Sequence, residues 1–269
     1  MNYEIVTANI RAELKTYLET SGLKSIVLGI SGGIDSTLCA ALARPVCDEL
    51  GVELIGRSIT IETNSQDEID RGRLAGKVFC TNFEEIDLTD EYNFMKTGIN
   101  SREGWLENYT ADKIREGNIK ARMRMIYLYN ISQLKGGMVL STDNFTELMV
   151  GFWSLHGDVG DYGMVQNLYK MEVYGLSKWL AVNVDNDDAY KAIMDCVDAT
   201  PTDGLGITSS DVEQLGAENY MEVDNILREH FIDNTKHTDH PVIKRHYASE
   251  FKRNNPYNLP RDVVVNGAE

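Results

Sequence analysis

The sequence is poor in cysteine and has no long apolar run. Its four cysteines, Cys39, Cys47, Cys80 and Cys196, are scattered and form no CxxC pair, which argues against a zinc site, a thioredoxin-like redox centre or an iron–sulfur cluster. No segment approaches the roughly 18 apolar residues that a membrane span needs, and the first residues lack the apolar core of a signal peptide. We expect a soluble, cytoplasmic protein that binds no membrane and keeps its cysteines reduced and buried.

Positive charge is also scarce. The 269 residues include 26 Lys and Arg against 42 Asp and Glu, which gives a formal net charge of -16. Such a chain repels nucleic-acid phosphate, so we expect no nucleic-acid partner. A small anionic ligand stays possible, because backbone amides, a few cations and a divalent metal ion can reverse the field inside one cleft. Hydrophobic residues make up 42% of the chain, which supports a globular core and excludes a disordered, collagen-like or coiled-coil protein.

Short apolar runs alternate with helical patterns along the chain. Apolar residues at helical spacing follow Thr7, which predicts an N-terminal helix that is capped there and ends near Gly22. Strands are predicted at SIVLGI, VELIGRSIT, NFEEIDL and GMVLST, and a long helical pattern over 111–134 precedes the last of them. The alternation predicts an α/β fold with a doubly wound, mostly parallel sheet and helices on both faces.

A glycine-rich loop follows the first predicted strand. It has the sequence GISGGIDS over 29–36 and leads into a helical pattern. Small residues let backbone N–H groups converge, and a helix N-terminus beside two hydroxyls, Ser31 and Ser36, favours phosphate oxygens. The carboxylate of Asp35 would repel phosphate unless Mg²⁺ lay between them. The loop therefore predicts a nucleoside triphosphate bound with magnesium.

Other interpretations of this loop can be compared with the sequence. Neither GxxxxGK[ST] nor GxGxxG occurs, so the common P-loop and the Rossmann dinucleotide fingerprint are both absent. The letters GISGG fit GxSxG, which allows a serine hydrolase with Ser31 as nucleophile, although no HGGG-like oxyanion segment precedes it. A purely structural glycine turn is the remaining alternative.

The motif SGGIDS resembles the pyrophosphate-binding loop of the N-type ATP pyrophosphatases, whose fold is that of the adenine nucleotide alpha hydrolases. Two longer segments are similar to the ammonia-dependent NAD synthetases of that superfamily: GNIKARMRMIYLYNISQLKGGMVLSTDNFTELMVGFWSLHGDVGDYG and NLYKMEVYGLSKWL. The resemblance extends, with gaps, from Ile26 to Arg253. It implies a single synthetase domain over 1–269.

This resemblance implies an ATP site at the loop and at three later positions. The positions that match ATP contacts of the family are Gly29, Ile30, Ser31, Gly32, Gly33, Ile34, Asp35, Ser36, Thr142, Lys170 and Thr202. Asp35 and Glu147 match the two carboxylates that bind Mg²⁺, and with Lys170 they are the implied catalytic residues. Asp143 and Glu147 are four residues apart, so both can lie on one face of the helix that follows GMVLST.

A second group of residues is implied for the acid substrate, deamido-NAD: Asn118, Arg122, Asp158, Asp161 and Lys252. The chain departs from the family on this side. Leu155 replaces a lysine, Val212 replaces a glutamate and Phe251 replaces a histidine. The ATP side is intact. The insert around 184–200 is longer than usual and has no implied role.

The implied reaction is the ATP-dependent amidation of deamido-NAD to NAD. Ammonia cannot expel oxide from a carboxylate, so the carboxylate is first transferred to AMP with release of pyrophosphate, and ammonia then displaces AMP. A glutaminase domain would not fit within 269 residues, so free ammonia is the expected donor. The family also implies a homodimer with the long helix near the interface. A GMP-synthetase-type amidating subunit is the nearest alternative, and a GxSxG serine hydrolase is a more distant one.

Overall fold

A parallel β-sheet organises the chain. The structure, a computed structural model, describes residues 1–62, 64–104, 109–184, 186–202 and 210–266. The sheet contains β1 (Ser25–Gly29), β2 (Glu53–Thr60), β3 (Asn82–Asp87), β4 (Gly137–Ser141) and β5 (Tyr162–Gly163). Their order is β3-β2-β1-β4-β5, and every pair is parallel. The four predicted strands correspond to β1–β4, whereas β5 has two residues, too few to show a periodic pattern.

Thirteen helices are assigned in the described residues. They are α1 (Tyr3–Ser21), α2 (Ile34–Leu50), α3 (Gln66–Phe79), α4 (Thr89–Glu103), α5 (Tyr109–Lys135), α6 (Phe145–Val150), α7 (Lys170–Ala181), α8 (Asp187–Val197), α9 (Asp211–Leu215), α10 (Tyr220–Ile232), α11 (Pro241–Ala248), α12 (Glu250–Arg253) and α13 (Arg261–Val265). None of the described helices is long and apolar enough to cross a membrane.

The first helix shows where the sequence pattern misplaced a boundary. Helix α1 begins at Tyr3, because the side chain of Asn2 accepts hydrogen bonds from the amides of Glu4 and Ile5 and so caps the helix. Thr7 is not the cap but is buried within the helix. The C-terminus lies where it was predicted, at Gly22, which has the left-handed conformation with φ 69°.

Helices cover both faces of the sheet, which confirms the predicted fold class. On one face, alternate residues such as Ile26, Leu28 and Leu54 join the main hydrophobic core with residues of α1, α2, α3, α7 and α8. On the other face α5 packs against β1 and β4. The insert that had no implied role forms α8, which packs against α2, α3 and α7. It therefore supports the helix that follows the glycine-rich loop.

The order of the strands predicts where a ligand binds. The chain runs from β1 outward to β3 and then returns to β4 on the other side of β1. The carboxyl ends of β1 and β4 therefore flank the point at which the winding direction reverses, and ligands of open α/β sheets bind there. The glycine-rich loop follows β1 and the segment STDNFTE begins at the end of β4, so both lie at this point.

Candidate active site

The glycine-rich loop presents free backbone donors at the start of α2. Gly33 is the N-cap of α2 and provides no side-chain cap, which leaves the first amides of the helix available to an anion. Gly32 has φ +80°, and a Cβ there would collide with the carbonyl oxygen of Glu68. The hydroxyls of Ser31 and Ser36 lie 3.1 Å apart, and Ser31 Oγ accepts from the Gly33 amide at 3.2 Å. Internal hydrogen bonds therefore hold the loop in shape.

Three charged residues from distant parts of the chain meet beside this loop. Lys170 Nζ donates to Asp35 Oδ2 at 2.5 Å and to Glu147 Oε1 at 2.9 Å. Asp35 lies in the first turn of α2, Glu147 in the first turn of α6, and Lys170 is the first residue of α7. Only 3% of Lys170 is exposed. The structure thus brings together the three residues that were predicted to be catalytic.

A buried polar network orients these three residues. Asn144 is fully buried; its Nδ2 donates to Asp35 Oδ1 at 2.9 Å and its Oδ1 accepts from the Glu147 amide at 3.0 Å. Thr146 Oγ1 accepts from the Lys170 amide at 2.9 Å and donates to Asp224 Oδ1. Asn144, Thr146 and Asp224 were not predicted. The spacing N-x-x-E over 144–147, a capping box, was a signal for Asn144.

The field inside the site is strongly negative. Burial raises the pKa of Glu147 to about 7; Lys170 opposes this rise, and Asp35 adds to it. Burial also raises the pKa of Asp143 well above its ordinary value, and repulsion from Asp158, Glu147 and Asp35 acts in the same direction. Burial would lower the pKa of Lys170, but Asp35 and Glu147 outweigh it and raise that pKa. Two carboxylates therefore contact one ammonium group, and Asp143 lies close enough to interact with both of them.

The donor chemistry of the site suits magnesium bound together with phosphate. Mg²⁺ takes one or two protein carboxylates and completes its shell with phosphates and water. Asp35 and Glu147 already contact one cation in common, the Lys170 ammonium, and the surrounding acids leave an excess of negative charge. Among the described residues no group of three or more His, Cys, Asp or Glu side chains forms a ready-made metal cage. The site fits an ion that arrives with a polyphosphate.

A cavity of about 290 Å³ opens over this cluster. The predicted ATP and metal residues that line it are Gly29, Ile30, Ser31, Gly32, Gly33, Ile34, Asp35, Thr142, Glu147, Lys170 and Thr202, and Asp158 of the substrate group lines it as well. Ser36 lies behind the loop, where its hydroxyl contacts Ser31. Thr202 Oγ1 donates to Glu68 Oε1. No histidine is found among the described lining residues, which removes a general base for Ser31 and disfavours the hydrolase interpretation.

The other residues predicted for the acid substrate contact backbone groups or side chains of the protein. Arg122 Nε donates to the carbonyl oxygen of Leu155 at 3.2 Å, Asn118 Oδ1 accepts from Ser154 Oγ, and Lys252 Nζ donates to the carbonyl oxygen of Gly151 at 2.7 Å. All three therefore hold the segment 151–155 beside the cavity. Their contact with substrate stays a prediction.

Asp161 has both carboxylate oxygens occupied. Its Oδ1 accepts from the Tyr129 hydroxyl at 3.0 Å and its Oδ2 accepts from the Val139 amide at 2.8 Å. Asp158 lines the cavity, whereas Asp161 is not among the described lining residues. Asp158 Oδ2 accepts from the Ser154 amide at 2.8 Å, and contact of either aspartate with the acid substrate stays a prediction.

Comparisons with known proteins agree on one family. The model of the family described as NAD synthase matches residues 6–256. The NH(3)-dependent NAD(+) synthetase of Finegoldia magna is 32% identical over 254 residues, which cover 94% of this chain and 95% of that protein. The enzyme of the same name from Thermoplasma acidophilum is 32% identical, with 88% of this chain and 91% of that protein covered.

Solved structures show the same fold. An NMN synthetase from Francisella tularensis superposes with a TM-score of 0.79 at 22% identity, covering 97% of this chain and 99% of that one. An NH3-dependent NAD synthetase from Campylobacter jejuni gives a TM-score of 0.70 at 22% identity, with 97% and 100% covered.

Proposed function

The chain belongs to the NAD synthase family, and on this premise we propose how its site carries out the family's reaction. The protein is a ligase that amidates deamido-NAD with ammonia and consumes ATP. The nicotinate carboxylate attacks the α-phosphorus of ATP, the bond to the β-phosphate oxygen breaks, and pyrophosphate leaves. Ammonia then adds to the carbonyl carbon of the acyl-adenylate, loses a proton, and expels AMP.

This chain's residues supply alignment and charge rather than a nucleophile. The amides at the start of α2 and the hydroxyl of Ser31 bind the polyphosphate, so that the α-phosphorus is held beside the cavity that receives the acid. The ammonium of Lys170 stabilises the charge that grows on the departing pyrophosphate. Asp35 and Glu147 would hold Mg²⁺, which supplies further positive charge to the phosphates.

The observation that carries this proposal is the contact of one buried ammonium with two carboxylates at the uncapped start of α2. A structural glycine turn does not require such a cluster. The binding of a polyphosphate with its metal does require this cluster, because the carboxylates would hold the metal while the amides and Lys170 hold the phosphate oxygens.

A substrate panel tests the proposal directly. Purified protein is incubated with ATP, Mg²⁺ and ammonium, and with deamido-NAD, the deamido form of NMN, or xanthosine monophosphate, and AMP and the amidated product are measured. We expect AMP and NAD in equal amounts with deamido-NAD. The second acid is included because a neighbour in fold is an NMN synthetase, and the third tests a GMP-synthetase-type subunit. Amidation of xanthosine monophosphate alone would refute the proposal.

We also propose that the chain acts as one domain and as a homodimer in the cytoplasm, where ATP is supplied. Apolar side chains on α4 and α5 support a protein interface: Phe94 is 86% exposed, Ile126 57% and Leu134 79%. Exposed apolar residues along one pair of helices are typical of a surface that a second subunit covers.

A further inference from the structure

Helix α3 packs directly against the phosphate loop. The Cβ that Gly32 lacks would collide with the carbonyl oxygen of Glu68 on this helix. A Cβ at Gly72 would lie 3.1 Å from the carbonyl oxygen of Ile30 and 3.4 Å from the amide nitrogen of Gly32. Because backbone meets backbone here, the neighbouring side chain, Arg71, is held beside the loop.

The guanidinium of Arg71 is attached to the loop by one of its N–H groups. Its Nε donates to the carbonyl oxygen of Gly32 at 3.0 Å, and Cys196 Sγ donates to the same oxygen at 3.4 Å. The side chain lines the ATP cavity. Within the described part of the chain, its two terminal nitrogens form no hydrogen bond. Those nitrogens form the fork with which arginine binds phosphate oxygens.

The other cations that line the cavity already have partners. Lys170 contacts Asp35 and Glu147. Arg57 Nη1 donates to the carbonyl oxygen of Gly56 at 2.8 Å. Arg124 Nε donates to the carbonyl oxygen of Ile59 at 3.2 Å. Arg71, by contrast, has no ion pair with any carboxylate of the described residues, so its full charge is available to a ligand.

We propose that Arg71 binds the β- and γ-phosphates of ATP and stays on the pyrophosphate as it leaves, as a second cation beside Lys170. This inference rests on the proposed function. The Nε of Arg71 keeps the loop in place while its terminal nitrogens donate to phosphate oxygens. Charge that collects on the leaving group is then stabilised from two sides, by α3 and by α7.

Binding of pyrophosphate tests the proposal without turnover. Isothermal titration calorimetry in the presence of Mg²⁺ compares the wild type with Arg71→Gln and Arg71→Lys. We expect pyrophosphate and ATP to bind Arg71→Gln about 10- to 100-fold more weakly, the range for a lost hydrogen bond to a charged group. Arg71→Lys should recover part of this loss. AMP lacks the β- and γ-phosphates, so its affinity should not change.

The matched control is Arg73→Gln, two residues away on the same helix. Arg73 is paired with Asp70 and Glu85 at the surface and is not among the described lining residues, so its variant should bind pyrophosphate as the wild type does. Unchanged pyrophosphate affinity in Arg71→Gln would overturn the proposal. An equal loss of AMP affinity would also overturn it, because the loop itself would then have lost its shape.

Chemical rescue covers the case in which Arg71→Gln does not fold. Guanidinium ion should restore pyrophosphate release to Arg71→Ala, whereas urea, a neutral molecule of similar shape, should not. Equal effects of the two would contradict a role for the charge. If the wild type makes NAD and Arg71→Gln keeps its pyrophosphate affinity, only this inference fails. If the wild type makes no NAD, the proposed function fails first.

Discussion

Replacing Glu147 by glutamine should make the free energy of unfolding less dependent on pH. Burial raises the pKa of this carboxyl from 4.5 to about 7. The folded state therefore holds the proton more tightly than the unfolded state, and stability is lost as pH rises from the unfolded pKa through the folded one. The full loss is about 3 kcal/mol, and about 2 kcal/mol of it falls between pH 5.5 and 8.5.

The glutamine cannot ionise, so Glu147→Gln avoids this loss. Its single amide oxygen can accept from the Asn144 amide or from Lys170, whereas the two carboxylate oxygens of Glu147 accept from both, and the one lost hydrogen bond costs about 1 kcal/mol at every pH. The free energy of unfolding is measured in urea for both proteins at pH 5.5 and at pH 8.5. We expect the wild type to lose about 2 kcal/mol more than the variant between these two pH values. The lower limit of pH 5.5 avoids precipitation near the sequence pI of about 4.7.

The control is Glu172→Gln, at the same capping-box position of α7. Glu172 Oε2 accepts from the Tyr169 amide at 2.9 Å, and Oε1 pairs with Arg228. Its variant should lose stability by a similar amount at both pH values. If Glu147→Gln and Glu172→Gln show the same pH dependence, the desolvation assigned to Glu147 is wrong.

Three further predictions concern the loop, the metal site and the dimer. Gly32→Ala should destabilise the fold by more than Gly22→Ala in urea unfolding, and it should abolish ATP binding. Both glycines have positive φ, but of the two only Gly32 has atoms of another segment where the added Cβ would lie. Equal costs of about 1 kcal/mol for the two variants would show that the loop can move away from α3. Asp35→Asn should slow pyrophosphate release at least about 100-fold, while Asp48→Asn, an exposed position paired with Arg44 on the same helix, should not; a fully active Asp35→Asn would exclude this carboxylate from the site. Ile126→Asp should convert a dimer to a monomer in light scattering, whereas Ile232→Asp, 87% exposed on α10, should leave it intact; a dimeric Ile126→Asp would place the interface elsewhere.

Local patterns predicted the individual strands and the loop well, because both depend on residues that are close in sequence. The strand SIVLGI, the glycines after it and the start of α2 form one continuous unit over 25–36. Asp35 could be named from the loop itself, but Glu147 and Lys170 only through the family resemblance, since the three residues meet from three separate helices. Arg71 could not be predicted from its sequence neighbours either, because they indicate only a charged helix. Its position beside Gly32 follows from the packing of α3 on the loop.

A protein with a net charge of -16 can bind an anionic polyphosphate because some of its few cations lie at the binding site. Lys170 is buried, and its ammonium is held by Asp35 and Glu147, so its position is fixed before ATP arrives. When phosphate and a divalent ion enter together, the ion can satisfy the carboxylates and the ammonium can turn to phosphate, which leaves few buried charges without a partner. The acidic residues thus do not oppose nucleotide binding. Asp35 and Glu147 hold the lysine in place and, in the proposed site, would bind the metal of the nucleotide, so an isolated phosphate without metal should bind weakly.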